Sequence, residues 1–173
     1  KFSYDGNLLA FSEVSRNGFF LHIYKFPEMK KSITMLEHSN FIHDIDWLKQ
    51  KNYEIQRIVT ASSDFTAIVW KLEGENYTYT ILPHPAFVYA AKFLQREDSE
   101  AVSVVTAGRD SIIRIWRNRQ GMQSFELVQE LKHPIVNKFT YITSIVTRNA
   151  DTFYTSSSTG DIIEWTMRSS RDY

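Results

Sequence analysis

TASSDFTAIVW, residues 60–70, has two near-copies further along the chain: TAGRDSIIRIW at 106–116 and TSSSTGDIIEW at 155–165. Trp70, Trp116 and Trp165 close the three stretches, 46 and 49 positions apart by their numbering. Tyr24, 46 positions before Trp70, closes GFFLHIY, a stretch of the same character. A period of about 46 belongs to propeller-type repeats rather than helical solenoids. Other residues keep step with the tryptophans. His38, His84 and His133 each precede theirs by 32, Thr60, Thr106 and Thr155 by ten, and Asp64 and Asp110 by six. Several residue types recurring together at fixed offsets make the signal specific.

Within each period the segments are short and rich in Val, Ile, Thr and aromatics, with Gly, Asn and Asp between them. No stretch shows a 3.6-residue apolar period with end caps. The expectation is an all-β chain with four short strands per period, each period one blade. Lys1 to Gly6 read as the end of an inner strand and its turn. Strands then follow near 8–12, 19–25 and 31–36, with a longer turn over 12–18. The remaining strands fall near 42–48, 57–62, 66–72 and 77–82, near 88–94, 101–107, 112–117 and 125–131, and near 142–147, 152–157 and 161–167. Residues 1–173 thus read as one repeat region of about four blades (1–36, 42–82, 88–131, 142–167), ragged at both ends. Propellers close with about four to eight blades, so the expectation is part of a larger ring. The start at Lys1, rather than Met, reads as a missing N-terminus.

The His, Thr, Asp and Trp offsets resemble those of WD40 repeats, over essentially the whole chain. The family's rings most often have about seven blades. The resemblance implies that in each blade the Asp carboxylate accepts from the imidazole, the imidazole meets the Thr hydroxyl, and the hydroxyl meets the indole N–H. Such a network ties distant points together and satisfies groups that burial would otherwise penalise. Its members are His38, Thr60, Asp64 and Trp70; His84, Thr106, Asp110 and Trp116; and His133, Thr155 and Trp165. This sequence departs from the pattern in places. Glu37, Pro83 and Lys132 stand where the family has Gly, and Lys71, Arg117 and Thr166 follow the tryptophans where it has Asp. Thr159 holds the last Asp position. The fourth repeat carries extra residues after His133 and a shorter hairpin near 149–151. Read alone, His84, Asp110 and Thr106 contain the types of a nucleophilic triad. Their recurrence as His38, Asp64 and Thr60 favours a structural role, since an active site is rarely built once per repeat.

Twenty basic and twenty acidic residues cancel. That argues against a nucleic-acid partner, which a basic face would mark, and against a polybasic membrane anchor. No apolar run reaches the ~18 residues of a spanning helix. With no cysteine there are no disulfides or thiolate metal sites, which fits a reducing, cytoplasmic setting. No nucleotide-loop, zincin or hydrolase motif occurs. Glu97 and Asp98 lie in the polar stretch QREDSE, read as a solvated loop. Asn76-Tyr77-Thr78 matches a glycosylation sequon, with an exposed polar turn as the plainer reading. His38, His84 and His133 fall on separate blades, too far apart to share a metal. No enzyme, cofactor, metal or small-molecule substrate is expected.

LPHPAFVYAAKF at 82–93, VTAGRDSIIRIW at 105–116, HDIDW at 43–47 and SSDFTA at 62–67 resemble the jouberin family of ciliary WD40 scaffolds. That resemblance implies a non-enzymatic scaffold acting through protein partners in cilium assembly, at the basal body and transition zone. The insertions QKNYEIQ and NRQGMQ differ from the family. Propeller partners usually dock on the face of the His and b–c loops. Alternation sends Ile42 and Val88 inward, which nominates Phe41, His43, Phe87 and Tyr89, with Ser63, Arg109 and Ser158 just before the Asp positions. Core packing of Phe41 and Phe87 under the loops is the plainer reading of those two. The alternative reading is a substrate receptor of a cullin-type ubiquitin ligase, from Arg119 and Arg168, each three residues beyond a tryptophan.

Overall fold

The computed structural model describes residues 1–49, 55–94, 101–118, 124–134 and 137–167. These hold fourteen strands in four antiparallel sheets. The first sheet is β1 (Leu8–Ser15), β2 (Gly18–Lys25) and β3 (Lys30–Met35) in that order, with Phe2 bridged to Leu9 on the free edge of β1. The second runs β4 (Ile42–Trp47), β5 (Ile55–Ser62), β6 (Thr66–Glu73), β7 (Asn76–Pro83). The third repeats it with β8 (Val88–Leu94), β9 (Ser103–Gly108), β10 (Ile112–Asn118) and β11 (Phe125–Lys132). The last has β12 (Ile142–Thr147), β13 (Thr152–Ser157) and β14 (Ile162–Thr166). Neighbouring sheets pack face to face, β4 and β5 against β8 and β8 against β12. Together they are an arc of a β-propeller.

One expectation for the first sheet is corrected. The turn over 12–18 is short, because β1 and β2 stay paired out to Ser15 opposite Gly18. Val14 and Phe19 face each other near the tip; β-branched and aromatic pairs of this kind hold a ladder together.

The middle strands are buried on both faces, which is why they read as unbroken apolar runs. Alternate residues divide between two cores. Ile58, Ile68, Trp70 and Leu72 join Leu21, Ile23 and Met35 between the first two blades. Val59, Ala61 and Val69 join Ala91, Phe93, Val104 and Trp116 in the next junction. Val105, Ile113 and Ile115 meet Ile142, Ile145 and Phe153 in the third. Trp70, Trp116 and, at the margin, Trp165 therefore all face the preceding blade.

The second junction also carries a polar clamp. Asp44 on β4 accepts from Lys92 Nζ at 2.6 Å and from the Ala91 amide at 3.2 Å. Asp46 accepts from the Phe93 amide at 3.1 Å. β8 is the edge strand of its sheet, and these carboxylates satisfy amides that an edge leaves open. Burial raises the Asp46 pKa, partly offset by Lys92 and the Phe93 amide.

Candidate functional site

The His, Thr, Asp and Trp positions form three networks of decreasing completeness. In the second blade His38 Nδ1 lies 2.6 Å from Asp64 Oδ2 and Nε2 2.7 Å from Thr60 Oγ1, which also accepts from Trp70 Nε1 at 2.9 Å. Asp64 further accepts from the Ser39 and Thr66 amides and the Thr66 hydroxyl. Burial alone would raise the Asp64 pKa. The hydrogen bonds from His38 and Thr66 outweigh it and hold the carboxyl well below the usual range.

The third blade keeps half of this network. His84 Nε2 lies 2.7 Å from Thr106 Oγ1, and Trp116 Nε1 donates to the same oxygen at 2.9 Å. The expected Asp110–His84 bond is absent. Asp110 instead lies 2.7 Å from Arg114 Nη1, and Arg114 reaches Glu130 as well. The guanidinium four residues along holds the carboxylate by charge, without hydrogen-bond alignment to Oδ2. His84 Nδ1 turns to the Leu82 carbonyl at 2.9 Å; a carbonyl can only accept, so Nδ1 carries the proton. Asp110, Thr106 and His84 thus form no triad.

In the fourth blade Trp165 Nε1 still donates to Thr155 Oγ1 at 2.8 Å, but His133 does not reach Thr155. Its Nδ1 meets the Pro134 carbonyl, and buried Nε2 has no partner among the described residues. Asp161 takes over the turn in place of an Asp at 159, accepting from the Thr159 and Ser157 hydroxyls.

Burial lowers the His84 pKa to about 4, with the Leu82 carbonyl opposing. An unfolded histidine titrates near ~6.5, so between these values the unfolded chain binds the extra proton. His84 therefore contributes its full stability above about pH 6.5 and loses it as pH falls toward about 4. About 3 kcal/mol is at stake by the usual conversion. Urea unfolding across that window should show wild-type stability falling relative to His84→Gln; parallel curves would exclude the effect. The Asp64 contribution is fully present above the ordinary carboxylate pKa of about 4 and is lost as pH falls below it, so its window lies under that of His84.

On the same side of the sheets lies a row of aromatic rings, built by three devices that recur from blade to blade. The residue two before the b–c turn position donates its amide to the residue that precedes the inner strand: Ser63 to Phe41, Arg109 to Phe87 and Ser158 to Tyr141, at 2.9–3.0 Å. Each inner strand then has a bulge, between Ile42 and Asp44, Val88 and Ala90, and Ile142 and Ser144. A bulge turns the extra residue out of the pleat, which presents His43 and Tyr89. Finally, Phe65, Ser111 and Gly160 hold the same turn position at φ of 68°, 59° and 91°. Glycine takes this left-handed backbone freely, whereas a phenylalanine there is a strained outlier, costing about 1–3 kcal/mol.

These devices bring the rings together. Phe65 stacks on Phe87 at 5.3 Å, Phe87 neighbours Tyr89 at 6.4 Å, and Tyr89 meets both His43 (5.2 Å) and Tyr141 (5.4 Å). Phe41 pairs with Phe19 of the first blade at 5.3 Å. Phe41 is 52% exposed, Phe65 49% and Phe139 73%, so the plainer reading of Phe41 as core does not hold. Phe87 and Tyr89 are half-buried. Arg109 lies over the Phe87 ring at 5.9 Å, and Ser158 is exposed with its hydroxyl accepting from the Tyr141 amide. Ser63 is a correction. It is buried, and its hydroxyl is spent on His43 Nε2, so it positions His43 rather than meeting a partner. Burial lowers the His43 pKa. Phe65, Tyr141 and Phe139 were not among the residues nominated by alternation. The repeated aromatic of Phe41 and Phe87 extends to Tyr141, but the extra residues after His133 hide the correspondence.

Arg119, Arg168, Glu97 and Asp98, and most of the two insertions, lie outside the described residues. Among those described, no helix is long and apolar enough to cross a membrane.

The family described as "WD domain, G-beta repeat" matches residues 29–71. This stretch runs from β3 through β6, so the sequence repeat starts on the outer strand of one blade and ends on the third strand of the next. Jouberin from Rattus norvegicus and jouberin from Mus musculus are each 40% identical to the chain over 72 residues, 42% of this chain and 6% of theirs. The match thus spans a small fraction of the length of these curated relatives. The chain thus folds as an arc of a β-propeller whose blades repeat one polar network in diminishing form, carries a WD-repeat match over residues 29–71, and resembles jouberin in sequence.

Proposed function

We propose that the chain serves as a non-enzymatic protein-interaction scaffold and that partners dock on the aromatic row from Phe41 to Tyr141. The observation that carries this is Phe65. Its ring is half exposed on a left-handed backbone, a position where glycine would serve stability better. Strain of that kind is kept where function needs the side chain. Rings with an arginine beside them are also what an interface hot spot favours. The resemblance to jouberin supports a role in cilium assembly, at the basal body and transition zone, in the cytoplasm beside the cytoskeleton. The scaffold is then one arc of a larger ring, in a longer protein.

The test is substitution of Phe87, Tyr89 and Arg109 by alanine in the full-length protein, with affinity purification from ciliated cells and thermal melts in parallel. Loss of one hot-spot ring should weaken a direct partner by about 30-fold in a protein that still melts normally. A folded variant that retains every partner would sink the docking face. Recovery of a cullin-ligase adaptor with no ciliary protein would favour the substrate-receptor reading instead.

A further inference from the structure

The charged groups around the aromatic row differ in what they leave free. Each acid beside it is engaged within the chain. Asp64 is held by His38 and Thr66, Asp110 by Arg114, and Asp161 by Thr159 and Ser157. Glu37 is taken up by the Tyr77 hydroxyl and the Leu36 amide. The cations are not so engaged. Arg109 sits over the Phe87 ring and Lys138 over the Phe139 ring, at 5.9 and 5.3 Å. Arg16, at the β1–β2 turn, is exposed. Among the described residues none of the three makes an ion pair. On this face the carboxylates already accept from within the chain, whereas Arg109 and Lys138 lie over exposed or half-buried rings with no ion pair among the described residues.

We infer that this face takes an acidic peptide in extended conformation, with aromatic or aliphatic side chains on the rings and Asp or Glu beside them on Arg109 and Lys138. Side chains on one side of an extended strand repeat every ~6.6 Å, close to the 5.2–6.4 Å steps between neighbouring rings. Alternate residues of the peptide can thus meet successive rings. Cations already lying over rings lose little freedom on meeting a carboxylate, which favours affinity. Single-stranded RNA is the competing occupant of an aromatic, basic face. It requires a run of cations tracking consecutive phosphates, whereas here there are three, each on a different blade. Phe65 and Phe87 are already stacked on each other, and the remaining ring pairs are tilted or edge-on rather than a parallel platform for successive bases.

The occupant presupposes the docking face proposed above, and the experiment separates the two. A displayed library of random peptides is selected against the full-length protein, against the Arg109→Glu, Lys138→Glu double variant and against Phe87→Ala, Tyr89→Ala. Oligo(U) RNA is titrated in parallel. Wild-type protein should enrich Asp and Glu next to aromatic or aliphatic residues. The charge-reversed protein should bind the selected peptides at least about tenfold more weakly and select Lys and Arg instead. Both altered residues are exposed, so an unchanged melt is expected to accompany the switch. Equal enrichment of neutral or basic peptides by wild type, still lost in the ring variant, overturns the acidic occupant and leaves the docking face standing. Peptide selection unaffected by the ring variant overturns both. Tight oligo(U) binding abolished by charge reversal, with no acidic peptide enriched, assigns the face to RNA.

Discussion

Gly108→Ala is expected to cost about 2–4 kcal/mol of stability and to disturb the aromatic row. A Cβ on Gly108 would stand 2.0 Å from the Phe87 carbonyl oxygen and 2.9 Å from Phe87 C and Val88 Cα. All three are backbone atoms, so no side chain can rotate away. The carbonyl concerned accepts from the Arg109 amide at 2.9 Å, which ties the turn carrying Arg109 to the loop carrying Phe87. Relief means separating the two. That adds the loss of a hydrogen bond, about 1 kcal/mol, to an overpacking cost of about 1–3 kcal/mol. Thermal unfolding reads the stability, and hydrogen exchange at the Arg109 amide reads the bond. An unchanged melting temperature would show that the two backbones do not approach this closely. Ser62 and Ser157 stand at the corresponding places in the neighbouring blades, so the demand for glycine is particular to the blade that carries Phe87 and Tyr89.

Trp70→Ala should be the most destabilising single change, about 3–5 kcal/mol. The side chain is fully buried in the core between the first two blades. Its N–H also ends the chain of bonds through Thr60 and His38 to Asp64. Trp70→Phe keeps most of the apolar area and gives up the N–H, so it should cost far less, near the ~1–2 kcal/mol of one buried hydrogen bond. Trp165→Ala should fall well below Trp70→Ala, because Trp165 is only half-buried and its network lacks both the histidine and the aspartate links. Urea unfolding of the three variants gives the order. Equal losses at Trp70 and Trp165 would mean that the polar network adds nothing.

The blades were legible from residue offsets because their cause is local and periodic. A strand with two buried faces is apolar at most positions, and a buried indole N–H needs an acceptor, which the repeat supplies ten residues before Trp70, Trp116 and Trp165. The same logic overreached at Asp110. Its spacing from Trp116 matches Asp64 and Trp70, but spacing does not register Arg114 across the turn. His133 likewise keeps its offset from Trp165 while the residues between have shifted, so constant spacing concealed a broken contact. The site was half legible. His43 and Tyr89 follow from their places next to Ile42 and Val88, although bulges and not simple alternation bring them out. Phe65 could not be read, since its exposure depends on a left-handed backbone that the sequence assigns to no phenylalanine.

Asp44, Asp46 and Lys92 give the arc unequal joints. Among the described residues only the second junction adds a half-buried ion pair and capped edge amides to its apolar core. Repeat chains open at their weakest interface first. Pulled or warmed, this one would therefore part at its flanks and keep the second and third blades as a coupled pair. That pair carries Phe65, Phe87 and Tyr89 across its seam, so the heart of the aromatic surface rides on the last joint to give way. Recognition could outlast partial unravelling of the arc that bears it.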